Sequence, residues 1–172
     1  MTYKTLIAAL ALVVATVSTV VAQSAGGDQA FVTKIGGVSM TEVELGTLAL
    51  EKAASKDVKG FAQRMIDDHR KSGDELKAIA TRKNFPWPAA PAADAQALKE
   101  RLSKLSGAAF DRAYIDAMVS GHRDVLGVMK TEAQSGTDPE LKAFAGKASS
   151  TVEAHLTHAL EVQRALGKTA TD

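Results

Sequence analysis

The chain has 172 residues, with 21 Lys and Arg against 20 Asp and Glu, and contains no cysteine. A near-even charge balance with no basic stripe excludes a nucleic-acid interface. The lack of cysteine excludes disulfides, thiolate metal sites, a cysteine nucleophile and a lipidated N-terminal cysteine.

The first stretch carries one basic residue, Lys4, then an uncharged apolar run from Leu6 to Ala22 that ends in small residues. It reads as a secretory signal, residues 1–22, cut after Ala22. The alternative is an uncleaved anchor, because the run sits at the lower edge of bilayer-spanning length. No basic stop-transfer cluster follows it, and no other stretch could span a membrane, so the mature chain is expected in the periplasm without a transmembrane span. Removing 22 residues from 172 leaves 150, the size of one domain with one core.

Four long segments carry a helical period and none alternates as a strand does, so the fold class is all-α. The first helix is expected from about Asp28 to Ala54, with Phe31, Ile35, Val38, Leu45 and Ala49 inward and Glu42 among them. Gly36-Gly37 could instead delay its start to Thr41, where Thr41 and Glu44 would form a capping box. The second helix runs from the Ser55-Lys56-Asp57 turn to about Lys83. Its inner stripe is Val58, Ala62, Met65, Ile66, His69, Leu76 and Ala80, with Asp67 and Asp68 toward solvent.

Three prolines in Asn84 to Ala93 forbid a helix there. Trp87, between two of them, is either a cover for the bundle end or a recognition tip, and base rates for buried aromatics favour the cover. A short helix from Asp94 to Leu105 follows, with Leu98, Leu102 and Leu105 on one side. The third long helix, Ala108 to about Ser135, aligns Asp111, Ile115, Met118, Val119, His122, Leu126, Met129 and Ala133. Asp138 and Pro139 then supply an N-cap and a first helical residue. The fourth, from Pro139 to about Leu166, places His155 mid-stripe, and residues 167–172 read as a disordered tail. A faint repeat relates Leu45-Gly46, Phe61 and His69 to Leu126-Gly127, Phe144 and His155. It fits two hairpins joined by a long crossover, a ferritin-like four-helix bundle spanning residues 28–166 with a short extra helix in the crossover.

Glu42 and His69 each stand about 20 Å from the first turn, and His122 and His155 stand at similar depths from the second. If the hairpins pack in register, all four converge on one layer. Burying such a group without partners costs several kcal/mol, and a divalent ion would satisfy it. The expected metal site is therefore Glu42, His69, His122 and His155, holding one transition metal ion: zinc, iron or copper. Met65 and Met118, four residues before two of the histidines, would suit copper, although methionine at such spacing is more often core filler. His158 is either a reserve ligand or half exposed, and Asp111 a cap. The competing reading is a structural or interaction protein of the envelope whose histidines and Glu42 form a hydrogen-bonded core. No nucleophile and base pair recommends a catalyst, and no protein partner can be named.

The segments EVELGTLALEKAASKDVKGFAQRMIDDH, FDRAYIDAMVSGH and the late EAHL resemble the exported bacterial ferritin-like family of domain of unknown function 4142, whose members are often named outer membrane proteins. The resemblance extends over about Asp28 to Leu166 and implies a ferritin-like bundle without an established activity. The family's recurrent polar positions correspond here to Glu42, His69, Asp111, Tyr114, His122 and His155. True di-iron bundles carry a carboxylate three residues before each ligating histidine. Here those positions are Ile66, Val119 and Val152, which argues against a ferroxidase centre.

Overall fold

Apolar residues recurring every three to four positions set the helices, and capping side chains set their ends. The computed structural model describes the backbone of residues 15–168 and the side chains of 27–167. It contains α1 (Ala15–Lys52), α2 (Lys56–Lys83), α3 (Ala93–Ser103), α4 (Gly107–Ser135) and α5 (Pro139–Lys168). Among the described residues there is no strand, so the chain is all-helical as the periodicity predicts. None of these helices is long and apolar enough to cross a membrane. Most of the expected signal segment and of the tail, residues 1–14 and 169–172, lies outside the described residues.

The helix ends follow the sequence closely. The Ser55 hydroxyl accepts from Val58 N–H at the start of α2, and Asn84 closes that helix in the left-handed region at φ 57°. The Asp138 carboxylate accepts from the Glu140 and Leu141 N–H groups at 2.9 and 3.1 Å to open α5. Some boundaries differ from expectation: α1 begins before Asp28 and ends at Lys52 rather than Ala54, α3 ends at Ser103 rather than Leu105, and α5 runs past Leu166 to Lys168. There is also no restart at Thr41. α1 passes unbroken through Gly36-Gly37, and the Thr41 hydroxyl donates to the Gly37 carbonyl at 2.9 Å. Gly36 admits a close neighbour, since a Cβ there would lie 3.0 Å from Trp87 and from Pro88. Trp87 is thus a cover, laid across α1 and packed on the core.

α1 packs on α2 and α4 on α5, and the two pairs meet through α2 with α5 and α1 with α4. Small residues set the α1–α2 register: Gly46 lies against Ala62 and Ile66, and Gly73 against Ser39. These pairs make the two helices antiparallel and bring Glu42 level with His69 and Arg70. α3, inside the connection between the pairs, lies outside α1, where Lys99 meets Glu44 at 2.7 Å.

Two buried aspartates tie each hairpin's turn to the other hairpin. The Asp111 carboxylate, on α4, accepts from the Ala54 and Ser55 N–H groups at 3.1 and 2.9 Å. The Asp28 carboxylate, on α1, accepts from the Thr137 N–H and hydroxyl and from Asp138 N–H. Charge-assisted bonds of this kind are the strong ones, and together they set the α1–α4 pair antiparallel. The core divides into two apolar clusters. One, around Phe61, Met65, Phe110, Tyr114 and Met118, lies toward the α1–α2 turn. The other, around Phe31, Leu76, Val125, Leu141 and Phe144, lies toward the α4–α5 turn. Val125 is buried where the sequence favoured its neighbour Leu126, which is only partly covered.

Asp111→Ala leaves two N–H groups of the α1–α2 turn without their acceptor. Urea denaturation is expected to show a loss of about 2–4 kcal/mol.

Candidate metal centre

Between the two apolar clusters lies a polar layer. His69 on α2, His122 on α4 and His155 on α5 are 7%, 2% and 1% exposed. Their ring centroids are 5.9 Å apart for His69 and His122, 5.5 Å for His69 and His155, and 5.4 Å for His122 and His155. One ring nitrogen from each lies within 4.8 Å of the other two. The side chains converge because each stands mid-stripe on its helix and the antiparallel registers bring those positions to one depth.

Hydrogen bonds decide which nitrogens carry lone pairs. His122 Nδ1 stands 2.8 Å from the Met118 carbonyl oxygen, which can only accept, so the proton is on Nδ1 and the lone pair on Nε2. His155 Nε2 donates to Asp68 Oδ2 at 2.8 Å, which leaves its lone pair on Nδ1. His122 Nε2, His155 Nδ1 and His69 Nε2 are all buried without a hydrogen-bond partner. Sequence periodicity had put Asp68 toward solvent. It sits half-buried at the edge of the stripe, and it is the carboxylate that orients His155.

Glu42 is buried at the level of the histidines, but it does not belong to the group of three and its Oε2 has no partner. Its charge would act on Tyr114, whose own hydroxyl is buried and unpartnered. His158 stands apart too, with its ring edge-on to Phe61 at 5.3 Å. Phe61 also meets His122 at 6.4 Å and so floors the layer. Met65 and Met118 belong to the apolar cluster below it. A cavity of about 140 Å³ opens on the opposite side, with His69 and His155 among its walls.

The model of the family described as Domain of unknown function (DUF4142) matches residues 15–162. The chain belongs to the DUF4142 family. In structure this DUF4142 chain is similar to a DUF305 protein from Streptomyces coelicolor, described provisionally as secreted, at 15% identity and a TM-score of 0.72, covering 82% of this chain and 92% of that one. It is also similar to a DUF305 fragment from Deinococcus radiodurans, at 16% identity and a TM-score of 0.71, covering 83% and 96%. Likeness at such identity speaks for the fold alone. No curated protein matches the sequence.

Burial governs the electrostatics of the DUF4142 layer. Desolvation, followed by the neighbouring rings, pushes His69 down to about 3. Desolvation likewise takes His122 down to about 4 against the opposing bond from Met118. It also lowers His155, although the Asp68 hydrogen bond and charge pull the other way. For Asp68, burial would raise the pKa, but the bonds from His155 and Arg64 outweigh it and hold the carboxyl below its ordinary value. The three imidazoles are therefore neutral near pH 7, the state in which they bind metals. Burial raises Glu42 to about 8, so its carboxyl is protonated there.

The two kinds of shift act on opposite sides of neutrality. Glu42 is raised, so its contribution to stability is complete below the unfolded carboxyl value and is lost as pH rises through about 8. The histidines are lowered, so theirs is complete above the unfolded histidine value near 6.5 and is lost as pH falls toward about 4 and then 3. In chelator, the melting temperature should therefore fall on both sides of a maximum near pH ~6. Glu42→Gln should remove the part of the decline centred near pH 8, leaving the part due to Glu132, which burial and then Asp28 raise to about 7, and should leave the acid limb intact. An unchanged alkaline limb in that variant would show that another group causes it.

Proposed function

We propose that this DUF4142 chain is an exported ferritin-like four-helix bundle that binds one transition metal ion through His69, His122 and His155. The observation that carries the reading is the set of three unpartnered nitrogens on neighbouring neutral rings, two of them fixed by hydrogen bonds as lone-pair donors. A hydrogen-bonded core without metal would be expected to pair these nitrogens with donors, as buried polar groups generally are. Tetrahedral zinc at about 2.0 Å from each nitrogen needs the nitrogens about 3.3 Å apart. One ring nitrogen of each histidine lies within 4.8 Å of the other two, so binding would draw the rings closer together. Imidazole suits zinc, copper and iron alike.

Asp68 and the Met118 carbonyl are the outer partners that such ligands ordinarily have, setting the tautomer and ring orientation. Three ligands leave a coordination position open, as in sites where a metal meets a small molecule rather than serving structure alone. Glu42, expected at first as a fourth ligand, serves in this reading as a protonated carboxyl at the same level. The role that fits an exported protein of this kind is metal storage, sensing or stress defence. Export itself rests on the apolar segment before Gln23 and the domain of 28–166 that follows. The provisional description of the Streptomyces coelicolor neighbour as secreted agrees with it. N-terminal sequencing of the mature protein should begin at Gln23.

Metal analysis of protein purified from the periplasm is expected to find about one ion per chain, and chelation should lower the melting temperature. Apo His69→Ala and His122→Ala should fold yet gain no thermal stability from added zinc or copper. Asp68→Asn, which keeps the shape but weakens the acceptor, should lose about 10–100-fold in metal affinity. Wild-type protein that melts identically with zinc, copper, iron and chelator would remove the metal from this account.

A further inference from the structure

The cavity beside the histidines has the shape and chemistry of a ligand site. Its buried end is formed by His69 and His155 and its exposed mouth by Lys71 and Lys147, with Glu75 paired to Lys147 at 2.9 Å. Between them the walls are mainly apolar, with Ile35, Val38, Val125, Met129, Phe144 and Val152 outnumbering the hydroxyls of Ser39, Ser72 and Thr151. Its volume of about 140 Å³ is close to the roughly 150 Å³ of an engineered apolar cavity that takes up benzene.

Charge decides which head group the ligand carries. A divalent ion held by three neutral imidazoles keeps its full double charge inside a low-dielectric core, where such a charge is strongly unfavourable. Glu42 lies outside the group of three histidines, and the Asp68 carboxylate is half exposed and occupied with His155 and Arg64. A negative donor from outside would balance the ion, and Lys71, beside the Lys147–Glu75 pair, places a cation at the mouth. The apolar walls exclude a fully hydrated anion such as sulfate as the preferred occupant.

On the metal-binding reading above, we propose that this cavity binds a small organic monocarboxylate with a compact apolar body, whose carboxylate completes the coordination of the ion held by His69, His122 and His155. The body would lie among Val125, Met129, Phe144 and Val152, and the head group at the buried end. Monocarboxylates with a ring or branched chain of about six heavy atoms match the volume by comparison with benzene.

The full mature protein, loaded with cobalt as a visible reporter of coordination, is titrated with benzoate, toluene and acetate. Benzoate is expected to give a saturable change in the cobalt spectrum. Its affinity should exceed that of acetate at least tenfold, and toluene should leave the coordination bands unchanged. Ala148→Phe and, from the opposite wall, Met129→Trp fill the cavity; each should keep cobalt and lose tenfold or more in benzoate affinity. Cobalt retention reports that a variant has folded, and either retaining variant suffices for the comparison. Benzoate that binds no better than acetate, or equally well to a cobalt-retaining filled variant, overturns the cavity proposal and leaves the metal site standing. Failure of the wild-type protein to take up cobalt, zinc or copper overturns the metal reading and this one with it.

Discussion

Three imidazoles packed against one another inside a helical bundle impose the constraint on which the rest of the structure depends. None can be charged without a nearby anion, and burial drives His69 and His122 far below their ordinary values. Each neutral ring has one proton to give and one lone pair to place. The Met118 carbonyl and the Asp68 carboxylate take the protons of His122 and His155, which turns both free lone pairs away from hydrogen bonding. Among the described residues neither of these lone pairs, nor that of His69 Nε2, has a hydrogen-bond partner. Three lone pairs thus stand together without a hydrogen-bond partner, in positions that the fold sets in advance.

That preorganisation depends on register. A shift of one turn in any helix would move a histidine about 5 Å along the bundle and dissolve the layer. Several features oppose such a shift. Gly46 lets Ile66 approach α1, and Gly73 sits against Ser39, so α1 and α2 pack closely in the observed alignment. Asp28 and Asp111 each reach from one hairpin to the turn of the other, locking the far ends. The surface ion pairs, such as Arg82 with Glu140 and Lys147 with Glu75, lie along the α2–α5 seam. Exposed pairs of this kind contribute little stability, so the buried aspartates and the glycine contacts do most to hold the layer in line.

The legibility of the site in the sequence was uneven, for identifiable reasons. His69, His122 and His155 could be found because helical periodicity reports which side of a helix faces inward, and distance from a turn reports depth. Both are local properties. Glu42 passed the same two tests and stands at the same level, yet it lies outside the group of three. Periodicity gives a residue's face only to within a broad arc, and a side chain on the inner face of α1 can point toward α2 or toward α4. Asp68 was missed for the converse reason. It lies one step round the helix from His69, at the stripe's edge, where the sequence reads solvent but α5 brings His155 within 2.8 Å. The habit of metal-binding histidines to donate to a carboxylate was the one signal that could have pointed to it.

By itself the sequence determined the helical class, the four long helices and their caps, and the inward placement of three histidines, because these follow from short-range spacing and capping chemistry. It could also suggest Trp87 as a cover, but not where the cover falls, which the contact with Gly36 supplies. Only the tertiary structure decided that α1 runs through Gly36-Gly37, that Asp28 and Asp111 hold opposite turns, that Asp68 orients His155, and that a cavity opens beside the layer. Each of these joins residues far apart in the chain. Such contacts depend on how whole helices rotate and slide against one another, and no local pattern records that.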